Sequence, residues 1–542
     1  MTVIQVLADL TPLGWVKLCG VVFSTLFIYR FFYNAFFHPL SKVPGPFLAG
    51  ASGIPSWYYA MRGDRHIWLL KLFETYGSKI RVAPNSVVFR DSAAYKDIYS
   101  HKANVQKAPF YEAWQKDKLD VNTFTTREKS EHAHARKLLN QCFNDKSLLA
   151  SQSFMTKHVD RWNELMIASV DDGEWSEPMD FTELTDGLVF DIMGDLCFGA
   201  DFKMKEPGEN PLRSIPHAVI NYMKFYYPLT RSPMLNTILW LKPRGLDNLM
   251  KAISPPDILH YINFVESCVT DRLQLYNEQI LGAEDQQRKD MFWFLCDTKD
   301  DEGKPAYNTD QLNAEANTLI VGATDTTSTT MAGMMFYLTR YPDKLEKLVN
   351  EIRSKFPTPE DIVHGPVLTS CVYLRACIDE TMRLSPAGPG DLPREVRKGG
   401  ATIDGDFYPA GTIVGSSNWT TGHNEAIYGD TTELFYPERW IPDPSTGVTQ
   451  EDVKLLRANF NPFATGPGSC PGKNLAILEL SMVIGRTLHR LEIRKPLTGN
   501  NTLGEGNPAN AWGKREKNVF QVEDAYVAVR HGPMLQFKKR AS

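Results

Sequence analysis

One run near the C-terminus limits this chain more than any other: Asn461-Pro462-Phe463-Ala464-Thr465-Gly466-Pro467-Gly468-Ser469-Cys470-Pro471-Gly472. Its prolines and glycines deny it a regular helix or strand. An apolar helical pattern, Lys473 to Leu491, begins where it ends. Any fold must therefore carry a tight loop into a helix N-terminus, with a single cysteine at the junction. Loop amides and the positive end of a helix both favour a thiolate over a thiol. Glycines let the backbone approach a flat ligand closely, and Phe463 would cover the sulfur from one side. The plainer alternative is a buried free cysteine beside a turn. A dinucleotide-binding glycine loop does not fit, because its third glycine would fall on Pro471 and no strand-like run leads in.

The rest of the chain sets the frame for that loop. Its 542 residues are 43% hydrophobic and 23% charged, enough for a large core. No Gly/Ser/Pro-rich linker divides the middle. The net charge of −5 and a pI near 6.2 give no electrostatic case for a nucleic-acid partner. The eight cysteines are scattered without a Cys-x-x-Cys pair, which suits a reducing compartment rather than a disulfide framework or a zinc site. Leu18 to Tyr29 is apolar and uncharged, with Lys17 and Arg30 at its ends. Extended back to Thr11, it reaches the roughly 20 residues of a membrane span. Bulky Arg30-Phe31-Phe32-Tyr33 follows it instead of a signal-peptide cleavage site. Arg30, His38 and Lys42 lie after the span and only Asp9 well before it, so the basic side places the long C-terminal part in the cytosol. Lys42-Val43-Pro44-Gly45-Pro46 reads as a stiff hinge leaving the membrane.

Further along, Lys79–Ala83 and Ser86–Arg90 read as two strands around Pro84-Asn85. Residues 104–128 read mainly as loop, and Glu131 to Phe143 as helix. On that helix His132 and Arg136 are four apart and share a face. Residues 152–290 read as mostly helical. Within them, Tyr222 to Trp240 is aromatic-rich and fits either core or a membrane-surface entrance. Thr309 is a plausible N-cap for a helix running to about Tyr341, and roughly 30 residues make about 45 Å. Gly322-Ala323-Thr324-Asp325-Thr326-Thr327 lies near its middle. Small and β-branched residues are poor helix material, so an acid and hydroxyls placed there call for a ligand beside them, unless they simply face solvent. Asp343–Phe356 is amphipathic. Val372–Leu384 carries Glu380 and Arg383 on one face, by themselves no more than a surface ion pair. Residues 401–414 are β material with Asp-Gly and Pro-Ala-Gly turns, and Tyr526–Arg530 with Met534–Phe537 reads as a last strand pair.

The cysteine loop resembles the haem-binding loop of the cytochrome P-450 family, F-x-x-G-x-[RH]-x-C-x-G. Phe463, Gly466, Cys470 and Gly472 match it. Gly468 departs from it, standing where the family carries Arg or His against a haem propionate. Gly322–Thr327 resembles the family's [AG]-G-x-[DE]-T-[TS], with Ala323 in the usual glycine place. That likeness makes Asp325 an acid delivering protons from solvent and Thr326 the hydroxyl on the oxygen side. Glu380 and Arg383 resemble the family's E-x-x-R, completed by Arg439 from Pro437-Glu438-Arg439, a structural triad. His132, Arg136 and Arg394 stand where the family contacts haem propionates.

The resemblance implies a mainly α fold with small β-sheets behind an N-terminal transmembrane helix. Residues 1–38 would be a membrane anchor and 39–542 the haem-thiolate catalytic domain. The cofactor implied is haem b, with Cys470 as axial ligand of the iron. The activity implied is a monooxygenase that inserts one oxygen atom of O2 into a hydrophobic small molecule. No flavin- or NADPH-binding signature is present, so NADPH would act through a separate NADPH–cytochrome reductase, with cytochrome b5 as a second candidate donor. The reductase would dock on the Cys470 side, where Lys129, Lys137 and Lys473 offer basic contacts. The implied location is the endoplasmic reticulum membrane, single-pass, with a cytosolic catalytic domain. The overall look, with His132 in the usual Trp place, is similar to filamentous-fungal members that tailor secondary metabolites. Two other classes stay open: a haem-thiolate isomerase or dehydratase that needs no O2, and a non-catalytic haem-binding membrane protein. The Asp325–Thr326 pair argues against both.

Overall fold

A computed structural model describes residues 11–541 except 169, 172, 282–288, 301 and 500. The first ten residues of the expected anchor, Asp9 included, therefore lie outside the described residues. From Thr11 onward the apolar run forms a helix, Pro12–Phe32, extended by a π turn over Tyr33–Phe37. It starts where Thr11 Oγ1 accepts from Gly14 N (3.2 Å), and Pro12 needs no amide partner there. None of its residues is buried, and it is the one helix among the described residues long and apolar enough to cross a membrane. Its last turns dock on the rest of the chain. Asn34 Nδ2 donates to Ala51 O (2.9 Å), and Arg81 Nη2 donates to Asn34 O (2.9 Å).

Behind this helix the chain is mainly helical, with short strands at its margins. The central helix is Thr309–Leu338, with Leu319, Ile320 and every residue from Thr327 to Leu338 buried. Its N-cap is Asn308, one residue before the expected Thr309. Asn308 Oδ1 accepts from Gln311 N (2.9 Å) while Gln311 Oε1 accepts from Asn308 N (3.0 Å), a two-way box that Thr309 could not close. The helix stops three residues short of Tyr341, where the Thr339 hydroxyl bonds back to Met335 O (2.7 Å) and Pro342 opens the next helix, Pro342–Lys355.

Strands β1 (Lys79–Ala83), β2 (Ser86–Phe89), β3 (Val105–Lys107), β5 (Arg394–Val396) and β8 (Ile413–Ser416) form one sheet in the order β1-β2-β8-β5-β3. β2 and β8 are parallel, so the sheet joins the two halves of the chain. β6 (Ala401–Ile403) and β7 (Asp406–Tyr408) make a hairpin through Asp404-Gly405, both at positive φ, as a two-residue turn requires. The expected final strand pair does not form. β11 (Val527–Val529) pairs instead with β10 (Glu523–Ala525). β12 (Met534–Lys539) pairs with β9 (Leu491–Arg494) and with β4 (Met179–Asp180). The aromatic run divides between core and surface: Tyr222, Tyr226 and Tyr227 are buried, whereas Trp240 is exposed beside exposed Met234 and Leu241.

Helix Val372–Leu384 carries a fully buried ion cluster. Arg383 forks onto Glu380 (2.8 and 3.0 Å), Arg439 Nε reaches the same carboxylate at 3.1 Å, and Trp440 Nε1 adds a fourth donor at 2.9 Å. Burial alone would raise the Glu380 pKa, but Arg383 and Arg439 overcome it and hold the carboxyl below its usual range. Arg383 also donates to the carbonyls of Gly422, Thr432 and Leu434, pinning the segment that leads to the cysteine loop. This is far from the isolated surface pair that Glu380 and Arg383 would be alone. Removing one member of such a cluster costs about 3–5 kcal/mol.

Candidate functional site

The cysteine loop is folded by its own backbone. Cys470 N donates to Phe463 O (2.8 Å) and Ser469 N to Gly466 O (3.1 Å). Gly466 has φ +65°, and a Cβ there would lie 1.9 Å from Tyr99 O, so only glycine fits. Helix Lys473–Arg490 then begins directly after Gly472. Cys470 has accessible surface although protein encloses it, because its sulfur opens on an internal cavity of about 390 Å³. Burial raises the thiol pKa, while the Gly472 amide, Arg136 and Lys473 pull it down less strongly. The Gly472 amide and Lys473 at the helix start thus act in the direction expected from the sequence, against the larger effect of burial. A cation on the sulfur would complete the balance.

The cavity has a basic edge. Arg136 donates to Ser469 O from its helix, Lys129–Leu139, and to Asn140 Oδ1 at 2.8 Å. Arg394, on β5, donates from Nη1 to Tyr111 OH (2.7 Å) and Pro393 O (3.1 Å). His132 lines the same edge, its pKa pushed down to about 3 by burial and by Lys107, Arg136 and Arg394. It thus presents a neutral imidazole. Lys107, in β3, is the residue sequence reasoning missed. Its Nζ donates to Thr123 O (2.7 Å) and Phe124 O (2.8 Å), and burial, with Arg394 next, holds its pKa well below normal. A lone lysine in a segment without clear periodicity gave no spacing signal. Glu315 lies near this edge, but it is spent on the amide and hydroxyl of Thr123 (2.7 and 2.6 Å).

Gly322, Ala323, Thr326, Thr327 and Thr330 of the central helix form another wall of the cavity. Thr326 Oγ1 donates to Gly322 O at 2.7 Å. Asp325 is not on that wall. It is buried, 3.3 Å from Arg530 Nη1, and Arg530 also pairs with Asp186. Burial pushes the Asp325 pKa up to about 6, with Arg530 opposing and Asp186 adding to the rise. The carboxyl expected to deliver protons from solvent thus sits in a buried ion cluster, 3% exposed. Aromatic side chains, Tyr111, Trp114, Phe124, Tyr222 and Tyr526, close the remaining sides. Phe463 and Gly472 border the cavity beside Cys470.

The donor set fits haem. A soft sulfur stands on one face, close backbone at the loop, and apolar walls around it. The edge that gathers Lys107, His132, Arg136 and Arg394 has the hydrogen-bond donors that two carboxylates would need. Among the described residues one other group of metal-type ligands converges: His158, Asp191 and Asp201. Lys205 Nζ lies 2.9 Å from both His158 Nδ1 and Asp191 Oδ2 and fills that space.

Comparison with known proteins agrees. The family model described as Cytochrome P450 matches residues 53–515. The chain is 32% identical to cytochrome P450 monooxygenase AKT7 of Alternaria alternata, over 94% of each chain. It is 30% identical to cytochrome P450 monooxygenase fscF of Fusarium equiseti, over 98% of this chain and 97% of the relative. It is 31% identical to cytochrome P450 monooxygenase apf7 of Gibberella fujikuroi, over 99% and 100%. With the cysteine loop, the buried Glu380–Arg383–Arg439 cluster and matches that span the chain from end to end, this protein belongs to the cytochrome P450 family, the haem b monooxygenases that draw electrons from NADPH through a reductase.

Proposed function

We propose that the protein is anchored in the endoplasmic reticulum membrane by its N-terminal helix and oxidises an apolar intermediate of secondary metabolism. The observation that carries this reading is one cavity lined by both Cys470 and Thr326, with a mostly apolar and aromatic lining. Its relatives are named as monooxygenases of filamentous fungi, which supports the oxidation. Haem, once held by Cys470, supplies dioxygen activation, and thiolate ligation favours O–O cleavage; haem-thiolate enzymes of this family are the standard instance of that principle.

The protein's own share of the work is positional. Arg136, Arg394, His132 and Lys107 hold the carboxylate edge of the cofactor. Phe463 shields the sulfur. The aromatic walls exclude water and orient the substrate's C–H bond toward the Thr326 side. The Thr326 hydroxyl lines the cavity; its one hydrogen is donated to Gly322 O, so it must turn from that carbonyl before it can give a proton on the cavity side. Asp325 lies one residue before it, about 100° around the helix. From there its carboxyl can give up protons only as they are replaced from water, since Arg530 holds it in place but stays protonated and cannot relay them. Lys129, Lys137 and Lys473 form the docking face for NADPH–cytochrome reductase, with cytochrome b5 as a second donor.

Two variants test this reading together. Cys470→Ala should remove the red-shifted Soret band of the reduced carbon monoxide complex. Thr326→Ala should keep that band and continue to consume NADPH while product falls, by about 100-fold if the hydroxyl acts as a general acid. A surviving band in the first variant, or full coupling in the second, refutes the role assigned to that residue.

A further inference from the structure

Two glycines of the cysteine loop are glycines for different reasons. Gly466 needs a positive φ and has Tyr99 O against it. Gly468 has no positive φ, so its backbone would accept any residue. What excludes a side chain there is a single group: a Cβ at 468 would lie 2.6 Å from Arg394 Nη2, and the next atom, Arg394 Cζ, is 3.7 Å away.

That guanidinium cannot easily give way. Nη1 is tied to Tyr111 OH and Pro393 O. The planar group lies 5.1 Å from the ring centre of Tyr99 and 5.4 Å from that of Tyr111. Arg394 is 8% exposed, and Nη2 has no hydrogen-bond partner among the described residues. Gly468, Arg394, Lys107 and His132 also border a second, smaller void of about 50 Å³.

We propose that Gly468 and Arg394 work as one unit: the missing side chain at 468 is the seat of the Arg394 guanidinium, whose free Nη2 then serves the carboxylate edge of the haem. A side chain at 468 displaces Arg394, and a basic residue at 468 is useful only when Arg394 is shortened. The proposal rests on the haem reading, and a reduced carbon monoxide spectrum recorded for every variant keeps the two apart. An unchanged red-shifted band means that Cys470 still holds the iron.

The test is the rate at which the holoprotein loses haem to excess haem-free myoglobin. Gly468→Ala should speed the loss about tenfold, the usual scale for an overpacked site. In an Arg394→Ala background the same change should add less than about twofold, because the clash is gone. Gly468→Arg combined with Arg394→Ala should lose haem more slowly than Arg394→Ala alone. Equal effects of Gly468→Ala in the two backgrounds, or none in the parent, overturn the proposal. If Gly468→Ala cannot be purified with haem, the haem-to-protein ratio decides: a loaded Gly468→Ala/Arg394→Ala double variant supports the pair, and an empty one refutes it.

Discussion

Glu479 sits on the helix that follows the cysteine, 1% exposed, with Oε1 lacking a hydrogen-bond partner among the described residues and the residue bordering the cavity. Burial pushes its pKa up to about 8, so the folded protein keeps this proton where the unfolded chain has released it. The unfolded carboxyl titrates near 4.5. Between that pH and about 8 the folded state binds the extra proton, and stability must fall as pH rises, by up to about 1.4 kcal/mol per pH unit. Below pH 4.5 both states are protonated and the penalty vanishes. Glu479→Gln removes the charge and keeps the shape, so its melting temperature should match the parent near pH 5 and exceed it increasingly toward pH 8. A gap that does not change with pH would rule out Glu479 as the source. Single residues were also where sequence reasoning reached least far. Helical spacing separates Asp325 from Thr326 by about 100°, which says that only one of them can face the cavity. It does not reveal that Arg530 waits for Asp325 from 205 residues further along. Nor does a motif reveal that burial outweighs the amides around Cys470, since that balance depends on everything packed over the loop.

Helices were legible because their signals are local. The apolar stretch after Thr11, the amphipathic Pro342–Lys355 and the Glu380–Arg383 face all follow from spacing along one segment. Pairing of strands is not local: β12 was expected beside the strand just before it but lies on β9, with Phe537 opposite Ile493. Side-chain alternation tells which face a strand buries, not which partner it takes. The same distinction governs the anchor. Composition marks residues 1–38 as one unit, yet Asn34 is bonded to Ala51 and Arg81, so the joint with the catalytic domain lies inside that range. Deleting residues 1–30 should release much of the protein from membranes without changing its melting temperature. Deleting 1–38 should release it as well but lower the melting temperature by about 1–2 °C, because two hydrogen bonds are lost. Both proteins should keep the haem spectrum. Equal stability of the two would return the joint to residue 38. Residual membrane binding in either would point to exposed Met234, Trp240 and Leu241.

At the scale of the whole molecule, the family was legible because its motifs are few, short and correctly ordered, while the substrate was not, because the cavity walls come from distant segments. Tyr111, Tyr222 and Tyr526 meet only after folding. The sheet is assembled in the same way: Ser86 pairs with Ile413 and Lys107 with Arg394. Counted in seconds, this layout has a cost during synthesis. The anchor helix leaves the ribosome first, and β1, β2 and β3 follow it. Their partners β5 and β8 come about 300 residues later, which at about 5–20 residues per second is about 15–60 s of waiting. Cys470 emerges later still, so no haem can be held while those edges stand open. Chains stalled on the ribosome at Leu384 should therefore remain protease-sensitive between residues 79 and 107, and chains extended past Arg490 should not. Early protection in the shorter chains would mean that the N-terminal strands find other cover. Without it, a newborn molecule spends most of its synthesis with unpaired strand edges exposed, and its yield in the cell depends on what shields them.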